Sequence, residues 1–370
     1  MAARQIETHT ALRGVAALMV VAYHLQFGAG YRLPLETVTP FWERGYLLVD
    51  LFFVLSGFVI SYANDADRAR PFTAGEYGRF LMMRIARIYP LHLACLLALA
   101  AFGVVVGAGM ELLRNHSVPM PGAWSDFLIQ LALLNAWFGG EGWNVPSWSI
   151  SAEMFAYLVF PLIVSLRARS GAVTIAALLS LAAVFYLWIA ATTGSLDIVV
   201  GLAPLRCLAG FVLGMCLFYG REGIARLGEP VLSILQLAAL ALLLLTLALG
   251  WNDVAAVPAF AVLVGATWTD RGVLARALVG RVSLFLGKIS YSIYLTHLVV
   301  LYVFSWRRID SLAAINPPLI RTLYLIGAFG VVILVSTLTF RYVEVPARQW
   351  LSRRILHRRA RPIEQAPPAP

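Results

Sequence analysis

An arginine and a histidine lie in the first apolar stretch of the chain, as Arg13 and His24 of the segment RGVAALMVVAYH. Eleven helical steps of about 100° come to roughly 20° past three full turns, so the two side chains share one face, about 16 Å apart along the axis. Ionisable side chains are costly in a membrane-spanning helix and usually mark a functional site. Two of them on one stripe, at different depths, predict a path across the bilayer rather than a single binding spot.

The composition places the chain in the membrane class. Of its 370 residues, 60% are hydrophobic and only 13% are charged, whereas a soluble domain carries about 25% charged residues. The formal net charge of +10 comes mostly from short loops, which orientation in a bilayer explains better than nucleic-acid binding. The first apolar stretch has no small-residue cleavage site after it, so we expect a retained helix rather than a removed signal peptide.

Ten apolar runs are long enough to cross a bilayer, and we expect one all-α integral membrane domain over residues 1–352. The run from Phe127 to Phe138 is too short to cross and is predicted to be re-entrant or interfacial, with a simple buried helix as an equal alternative. The residues from 353 to 370 are basic and then proline-rich, which is typical of a disordered tail. The ten runs are 9–29, 46–63, 84–108, 146–166, 172–193, 198–219, 231–250, 254–269, 283–305 and 319–342.

Positive charge falls on one side of this arrangement. With the N-terminus in the cytoplasm, the inside segments carry most of the lysines and arginines, and the outside loops carry mostly Asp and Glu, with Arg307 and Arg308 as the main exceptions. This bias predicts that both termini are cytoplasmic. We therefore expect a multi-pass protein of the inner, or plasma, membrane.

Orientation converts sequence position into depth, at about 1.5 Å per helical residue. On this reckoning, titratable side chains from five helices reach the outer third of the bilayer: His24, Asp50, Glu153, Arg206 and His297. A histidine beside a carboxylate can act as a general base, and we expect His24 to have such a partner at matching depth. Buried pairs that only hold the helices together are the alternative interpretation.

A second cluster is predicted at the cytoplasmic face. Arg84 and Arg87 in RIARIYP are one turn apart, and Arg13 lies near the same level. Guanidinium groups at this spacing suit a polyanionic ligand such as a phosphate-bearing cofactor, and lipid headgroups are the alternative. Ser56 in FFVLSGF lacks the GxSxG elbow, so we expect it to serve close helix packing with Gly57 rather than nucleophilic catalysis.

Motifs for two other classes of chemistry are missing from the sequence. It contains no GxxxxGK[ST], which leaves ATP-driven transport through a P-loop unsupported. It contains no HExxH or paired CxxC, and its three cysteines fall within apolar runs, so we expect no metal site.

Five segments, in this order, closely resemble the membrane acyltransferase-3 family of multi-pass O-acyltransferases: RGVAALMVVAYH, DLFFVLSGFVIS, RIARIYPLH, PSWSISAEMFAYLVFP and SYSIYLTH. The resemblance implies ten core helices and transfer of an acyl group, most often acetyl, from cytoplasmic acyl-CoA to a hydroxyl of a carbohydrate or another acceptor, commonly a cell-surface glycan. Some relatives carry an extra domain of the SGNH type. No such segment follows the last match here, so we expect the membrane domain to do the chemistry.

The resemblance assigns roles to individual residues. Arg13 and His24 match the family's Arg-x10-His element, and Arg84 and Arg87 match its RxxR pair. Acetyl-CoA or another acyl-CoA is therefore expected to bind at these three arginines. The other two matches are the aspartate before the FFVxSGF block and the glutamate of the WSxSxE block, here Asp50 and Glu153.

We expect His24 to deprotonate the acceptor hydroxyl, with Asp50 or Glu153 orienting and charging the imidazole. Direct attack on the thioester would follow, and a covalent acyl-histidine or acyl-serine intermediate stays an open alternative. Arg206, His297 and Trp148 are predicted to bind the acceptor, a glycan or glycan-bearing molecule of the cell envelope, with membrane lipid around the protein. The sequence names neither the acceptor nor the oligomeric state.

A transporter or flippase of a glycan or lipid-linked sugar is the interpretation from another class. It would also use titratable residues near the midplane. No inverted repeat is visible between the two halves, and the inner arginines have no evident use in such a protein. The sequence therefore favours the enzyme.

Overall fold

The computed structural model describes residues 5–29, 38–64, 69–113, 123–139, 143–306 and 318–357. Every regular element within these ranges is helical. The α-helices are α1 (Glu7–Ala29), α2 (Leu48–Ala63), α3 (Ala74–Leu113), α4 (Trp124–Leu131), α5 (Asn135–Phe138), α6 (Ser147–Thr192), α7 (Ala203–Tyr219), α8 (Arg221–Ala225), α9 (Glu229–Leu249), α10 (Ala256–Thr267), α11 (Val273–Leu278), α12 (Arg281–Lys288), α13 (Ser290–Trp306), α14 (Pro318–Thr339) and α15 (Val345–His357).

Each of the ten predicted runs overlaps one of these helices or a bent pair of them, although the run 198–219 begins five residues before α7. Among the described residues, five helices are long and apolar enough to cross a membrane, and the pair α12 and α13, bent by 69°, gives a sixth if the two form one span. Helices α7 and α10 are apolar but shorter. Ten crossings, and the cytoplasmic position of both termini, stay predictions.

Helix α6 spans 46 residues in two parts divided by a kink, and it contains two of the predicted runs. Gly171 interrupts it with φ +52° and ψ −122°. This left-handed backbone conformation is readily accessible only to glycine, so the chain changes direction there. The kink separates the runs that were predicted at 146–166 and 172–193.

The short run near 127–138 folds into α4 and α5, joined at Leu133, where φ is +55°. Its backbone is held by side chains of the helices around it. His92 of α3 contacts the carbonyl of Gln130 at 2.8 Å, and Ser151 of α6 donates to the carbonyl of Leu133 at 2.6 Å. The segment is therefore docked against α3 and α6.

The end of the described chain is helical. Helix α15 follows a π-helical turn, Phe340–Glu344, and continues to His357. Residues 353–357 of the predicted tail thus belong to this helix. The rest of that tail, and the exceptional Arg307 and Arg308, lie outside the described residues.

Helices α2 and α7 pack backbone against backbone beside the site. A Cβ added to Gly57 would overlap the carbonyl of Phe211, and one added to Gly214 would overlap the carbonyl of Val54. Two helix backbones come this close only where small residues face each other. Gly57 therefore has the packing role that was expected of the FFVLSGF segment.

Candidate active site

A cavity that is partly open to solvent lies among α1, α2, α3, α6 and α13. Its lining combines three arginines with one carboxylate and several hydroxyl groups. The three residues predicted to bind the donor, Arg13, Arg84 and Arg87, all line it, and so does Glu153. Serine and tyrosine hydroxyls complete the polar part, and they include Ser56, Ser149, Tyr157, Tyr291 and Tyr294.

Arg87 is held by a carboxylate that the sequence analysis missed. Glu344 is 1% exposed and forms an ion pair with Arg87, and Ser292 Oγ donates to its other carboxylate oxygen at 2.8 Å. It belongs to the π-helical turn after α14, a distortion that is frequent at functional sites. The available signal was a glutamate just past the end of the last apolar run.

Arg84 differs from Arg87 in its hydrogen bonding. Its Nε is buried and has no hydrogen-bond partner among the described residues. Its guanidinium lies 5.6 Å from the ring centroid of Phe80. Arg348 of α15, which the sequence analysis did not single out, lies within electrostatic range of Arg84, Arg87 and Glu344. The arginine end of the cavity thus has more positive than negative groups.

Glu153 forms a hydrogen bond with a serine of α2. Ser56 Oγ donates a hydrogen bond to the Glu153 carboxylate, and both side chains line the cavity. The packing role predicted for the two neighbours in FFVLSGF therefore applies to Gly57 alone. Ser56, one residue earlier on the helix, turns to the cavity instead.

Both carboxylate oxygens of Asp50 accept hydrogen bonds from Arg206. Arg206 Nε donates to Oδ1 at 3.0 Å and Nη2 donates to Oδ2 at 2.6 Å, and its Nη1 donates to the carbonyl of Ile198 at 3.1 Å. The side chain of Arg206 is 0% exposed and that of Asp50 is 1% exposed. This is a buried structural pair, as the alternative interpretation described.

The expected pairing of His24 with Asp50 or Glu153 is not formed. Glu153 is hydrogen-bonded to Ser56, which follows Asp50 by six residues on α2 and so lies about 9 Å farther along that helix. Glu153 and Asp50 therefore do not share the common level that the rise per residue predicted.

Two of the three residues predicted to bind the acceptor are enclosed. Trp148 is 8% exposed, and its ring lies 5.1 Å from the guanidinium carbon of Arg206. Because Arg206 is itself buried against Asp50, neither side chain presents a free surface to a sugar ring. Trp148 covers the ion pair instead.

His24 contacts His297, the third of those residues. Nε2 of His297 lies 3.3 Å from Nδ1 of His24, and the ring centroids are 4.8 Å apart. His297 is fully buried, whereas His24 is half-buried. The structure thus places a second imidazole where a carboxylate was expected.

The cavity ends one aromatic ring short of this pair. Tyr294 lines the cavity, and its ring centroid is 6.1 Å from that of His297. Its hydroxyl accepts a hydrogen bond from Ser149 at 2.8 Å, and its ring packs on Phe52 at 5.8 Å. Tyr294, with Phe52 packed on its ring, therefore lies between the arginine-lined cavity and His297.

Comparison with known proteins agrees with the resemblance. The acyltransferase-3 family model, described as an acyltransferase domain, matches residues 10–338. The chain is similar to acyltransferase MdmB of Streptomyces mycarofaciens, with 34% identity over 161 residues, which are 41% of this chain and 38% of that protein. It is also similar to protein 2 in the picA locus of Rhizobium radiobacter, with 33% identity over 158 residues, 40% of this chain and 77% of that protein. No solved structure matches the chain.

The Asp50–Arg206 pair generates a prediction about stability. Asp50→Ala leaves a buried guanidinium without its counter-charge and is expected to lower the free energy of unfolding by about 3–5 kcal/mol. The measurement is thermal unfolding in detergent. The control is Arg70→Ala, because Arg70 pairs with Glu76 while 62% exposed, and an exposed pair contributes under about 1 kcal/mol. Similar losses in both variants would contradict the structural role of Asp50.

Proposed function

Because the chain belongs to the acyltransferase-3 family, we propose that this membrane acyltransferase is an O-acetyltransferase of the inner membrane. It moves an acyl group, which we expect to be acetyl, from cytoplasmic acyl-CoA to a hydroxyl of a cell-envelope carbohydrate. The observation that supports this proposal is the cavity, which has three arginines at one end and stops at Tyr294, next to the histidine pair.

The arginine end of the cavity suits the diphosphate of coenzyme A. Guanidinium groups bind phosphate oxygens through paired N–H donors. Nε of Arg84 is buried with no protein partner in the described part of the chain, so a donor is available to a phosphate oxygen. Arg87 is already oriented by Glu344, and Arg13 extends the cluster to α1.

The remainder of the cavity suits the pantetheine arm and the thioester. Val49, Phe53 and Ile88 give it an apolar wall. Arg13 and His24 are about 16 Å apart along α1, which a long and thin arm can span. The thioester reaches His24 only if Tyr294 and Phe52 move aside. We therefore propose that binding of the donor displaces the Tyr294 ring.

The chemistry begins when the acceptor hydroxyl gives its proton to Nε2 of His24. The acceptor oxygen attacks the thioester carbonyl carbon, the carbon–sulfur bond breaks, and the protonated imidazole returns its proton to the thiolate of CoA. His24 is half-buried, so the acceptor approaches from its exposed side. Asp50 has no direct part in this scheme, since Arg206 occupies both of its oxygens.

The hydrogen bond from Ser56 to Glu153 supports a second route within the same function. Ser56 would attack the thioester and transfer its proton through Glu153 to the departing thiolate, which leaves an acyl-serine. The acceptor hydroxyl would then attack the ester carbon, and its proton would pass through Glu153 to the Ser56 oxygen as the bond from that oxygen to the acyl carbon breaks. Glu153 acts as the general base in this route, within the cavity and without His24.

The test of the proposed function uses the purified protein in liposomes with labelled acetyl-CoA and a panel of glycans. An O-acetyltransferase by direct attack releases CoA only with an acceptor, and labelled acetyl appears on that glycan. A burst of CoA equal to the amount of protein, without acceptor, would identify the acyl-serine route. His24→Ala is expected to lower transfer to the glycan to a small residual rate. A transporter or flippase would release no CoA under any of these conditions.

The donor site generates a prediction about kinetics. Arg84→Ala is expected to raise the KM for acetyl-CoA about tenfold or more while kcat changes only a few fold, because the side chain contacts the donor away from the reacting carbon. Arg79→Ala is the matched control, since Arg79 is an exposed arginine of the same helix. A large loss of kcat at unchanged KM in Arg84→Ala would contradict phosphate binding by this residue.

A further inference from the structure

The contacts of the two histidines determine which nitrogen of each ring carries the hydrogen. A backbone carbonyl only accepts hydrogen bonds, so a ring nitrogen that bonds to one must be the donor. Nδ1 of His24 lies 2.9 Å from the carbonyl of Val20, and Nδ1 of His297 lies 3.2 Å from the carbonyl of Ile293. Both rings therefore carry a hydrogen on Nδ1.

The second nitrogen of a neutral imidazole is an acceptor. His297 is fully buried, and among the described residues no carboxylate bonds to either ring, so the neutral form avoids the cost of burying a charge. Nε2 of His297 then holds a lone pair and faces Nδ1 of His24 at 3.3 Å. The Nδ1 hydrogen of His24 is thus shared between Val20 and His297, and its Nε2 is left as the acceptor.

Aromatic side chains hold the two rings in this orientation. Tyr23 packs edge-on against His24 at a centroid distance of 4.9 Å and an angle of 81°. Tyr294 packs against His297 at 6.1 Å and 61°. Each imidazole is therefore fixed by one backbone carbonyl, one aromatic neighbour and the other imidazole.

We infer that His297 is a positioning residue that keeps the hydrogen of His24 on Nδ1 and so presents Nε2 as the base. A carboxylate has this place in the Ser-His-Asp arrangement. When His24 takes a proton at Nε2, its Nδ1–H becomes a charged donor and the bond to His297 strengthens. The contribution therefore appears in the transition state, and its loss lowers kcat rather than substrate binding.

This inference rests on the proposed function and changes the role expected of His297. The sequence analysis assigned His297 to acceptor binding. Complete burial of the ring, with both nitrogens engaged, leaves it no surface for an acceptor. His24, which is half-buried, is the member of the pair that meets substrate.

The test compares two replacements of His297 in the liposome assay. His297→Leu removes the acceptor atom, whereas His297→Gln offers a side-chain carbonyl oxygen to Nδ1 of His24. We expect His297→Leu to lower kcat about 10–100-fold, the range for residues that orient a functional histidine. The KM values for acetyl-CoA and glycan should stay within about threefold. His297→Gln should recover most of the lost rate.

A double variant separates positioning from a structural role. His297→Leu should cause no further loss in a His24→Ala protein, because a residue that acts through His24 has nothing left to act on. Thermal unfolding midpoints of all variants report whether the fold is kept.

Three results would overturn the inference while the proposed function stands: an unchanged kcat in His297→Leu, equal losses in His297→Leu and His297→Gln with lowered unfolding midpoints, or a raised glycan KM at unchanged kcat. A fully active His24→Ala protein would overturn the proposed base, and the role of His297 with it. These outcomes separate the failure of the inference from that of the proposed function.

Discussion

A charged side chain in an apolar helical interior costs several kcal/mol unless another group compensates it. Buried charges around the cavity therefore form ion pairs, and these pairs connect neighbouring helices. Asp50 and Arg206 neutralise each other and connect α2 to α7, where Gly57 and Gly214 bring the two backbones into contact. Arg87 is neutralised by Glu344, which fixes α3 to the turn after α14. The remaining arginines of the site keep access to solvent through the cavity.

The same constraint divides the site into a charged part and a neutral part. Arg13, Arg84 and Arg87 lie in the cavity with Glu153, whereas His24 and His297, on the other side of Tyr294, are two imidazoles that contact each other. An acyl-CoA has a similar division, with anionic phosphates at one end and an uncharged thioester at the other. Under the proposed function, the protein therefore compensates the charge of the donor where solvent reaches it and keeps the reacting end in an apolar setting.

The sequence was sufficient for the family and for the apolar helical segments, including the two runs that Gly171 separates in α6. It also brought Arg13, Arg84 and Arg87 to one level, because rise per residue and a repeated charge bias are enough for that. The sequence was not sufficient to predict which charged side chains pair with one another. Which side chain pairs with Asp50 depends on the rotation of α7 against α2, and that rotation follows from a contact between backbones that no residue spacing reveals.

Two further wrong predictions concern Glu153 and Glu344, and both depend on how the whole domain packs. Glu153 was expected at the level of His24 and Asp50, but it is hydrogen-bonded to Ser56, about 9 Å beyond Asp50 along α2. Glu344 was overlooked because it lies past the last apolar run, where a π-helical turn redirects the chain. Helix start heights and local distortions arise from packing of the whole domain, so a single sequence does not specify them.

The most direct test of the account is the structure of the protein with a non-reactive thioether analogue of acetyl-CoA. The account predicts that the diphosphate contacts Arg84 and at least one of Arg13 and Arg87. It also predicts that the Tyr294 ring is displaced. The carbon attached to the sulfur should lie within about 4 Å of the line that joins Nε2 of His24 to a bound acceptor oxygen. An analogue bound outside the arginine-lined cavity, or one that fills it while Tyr294 still separates its acyl end from His24, would contradict the account.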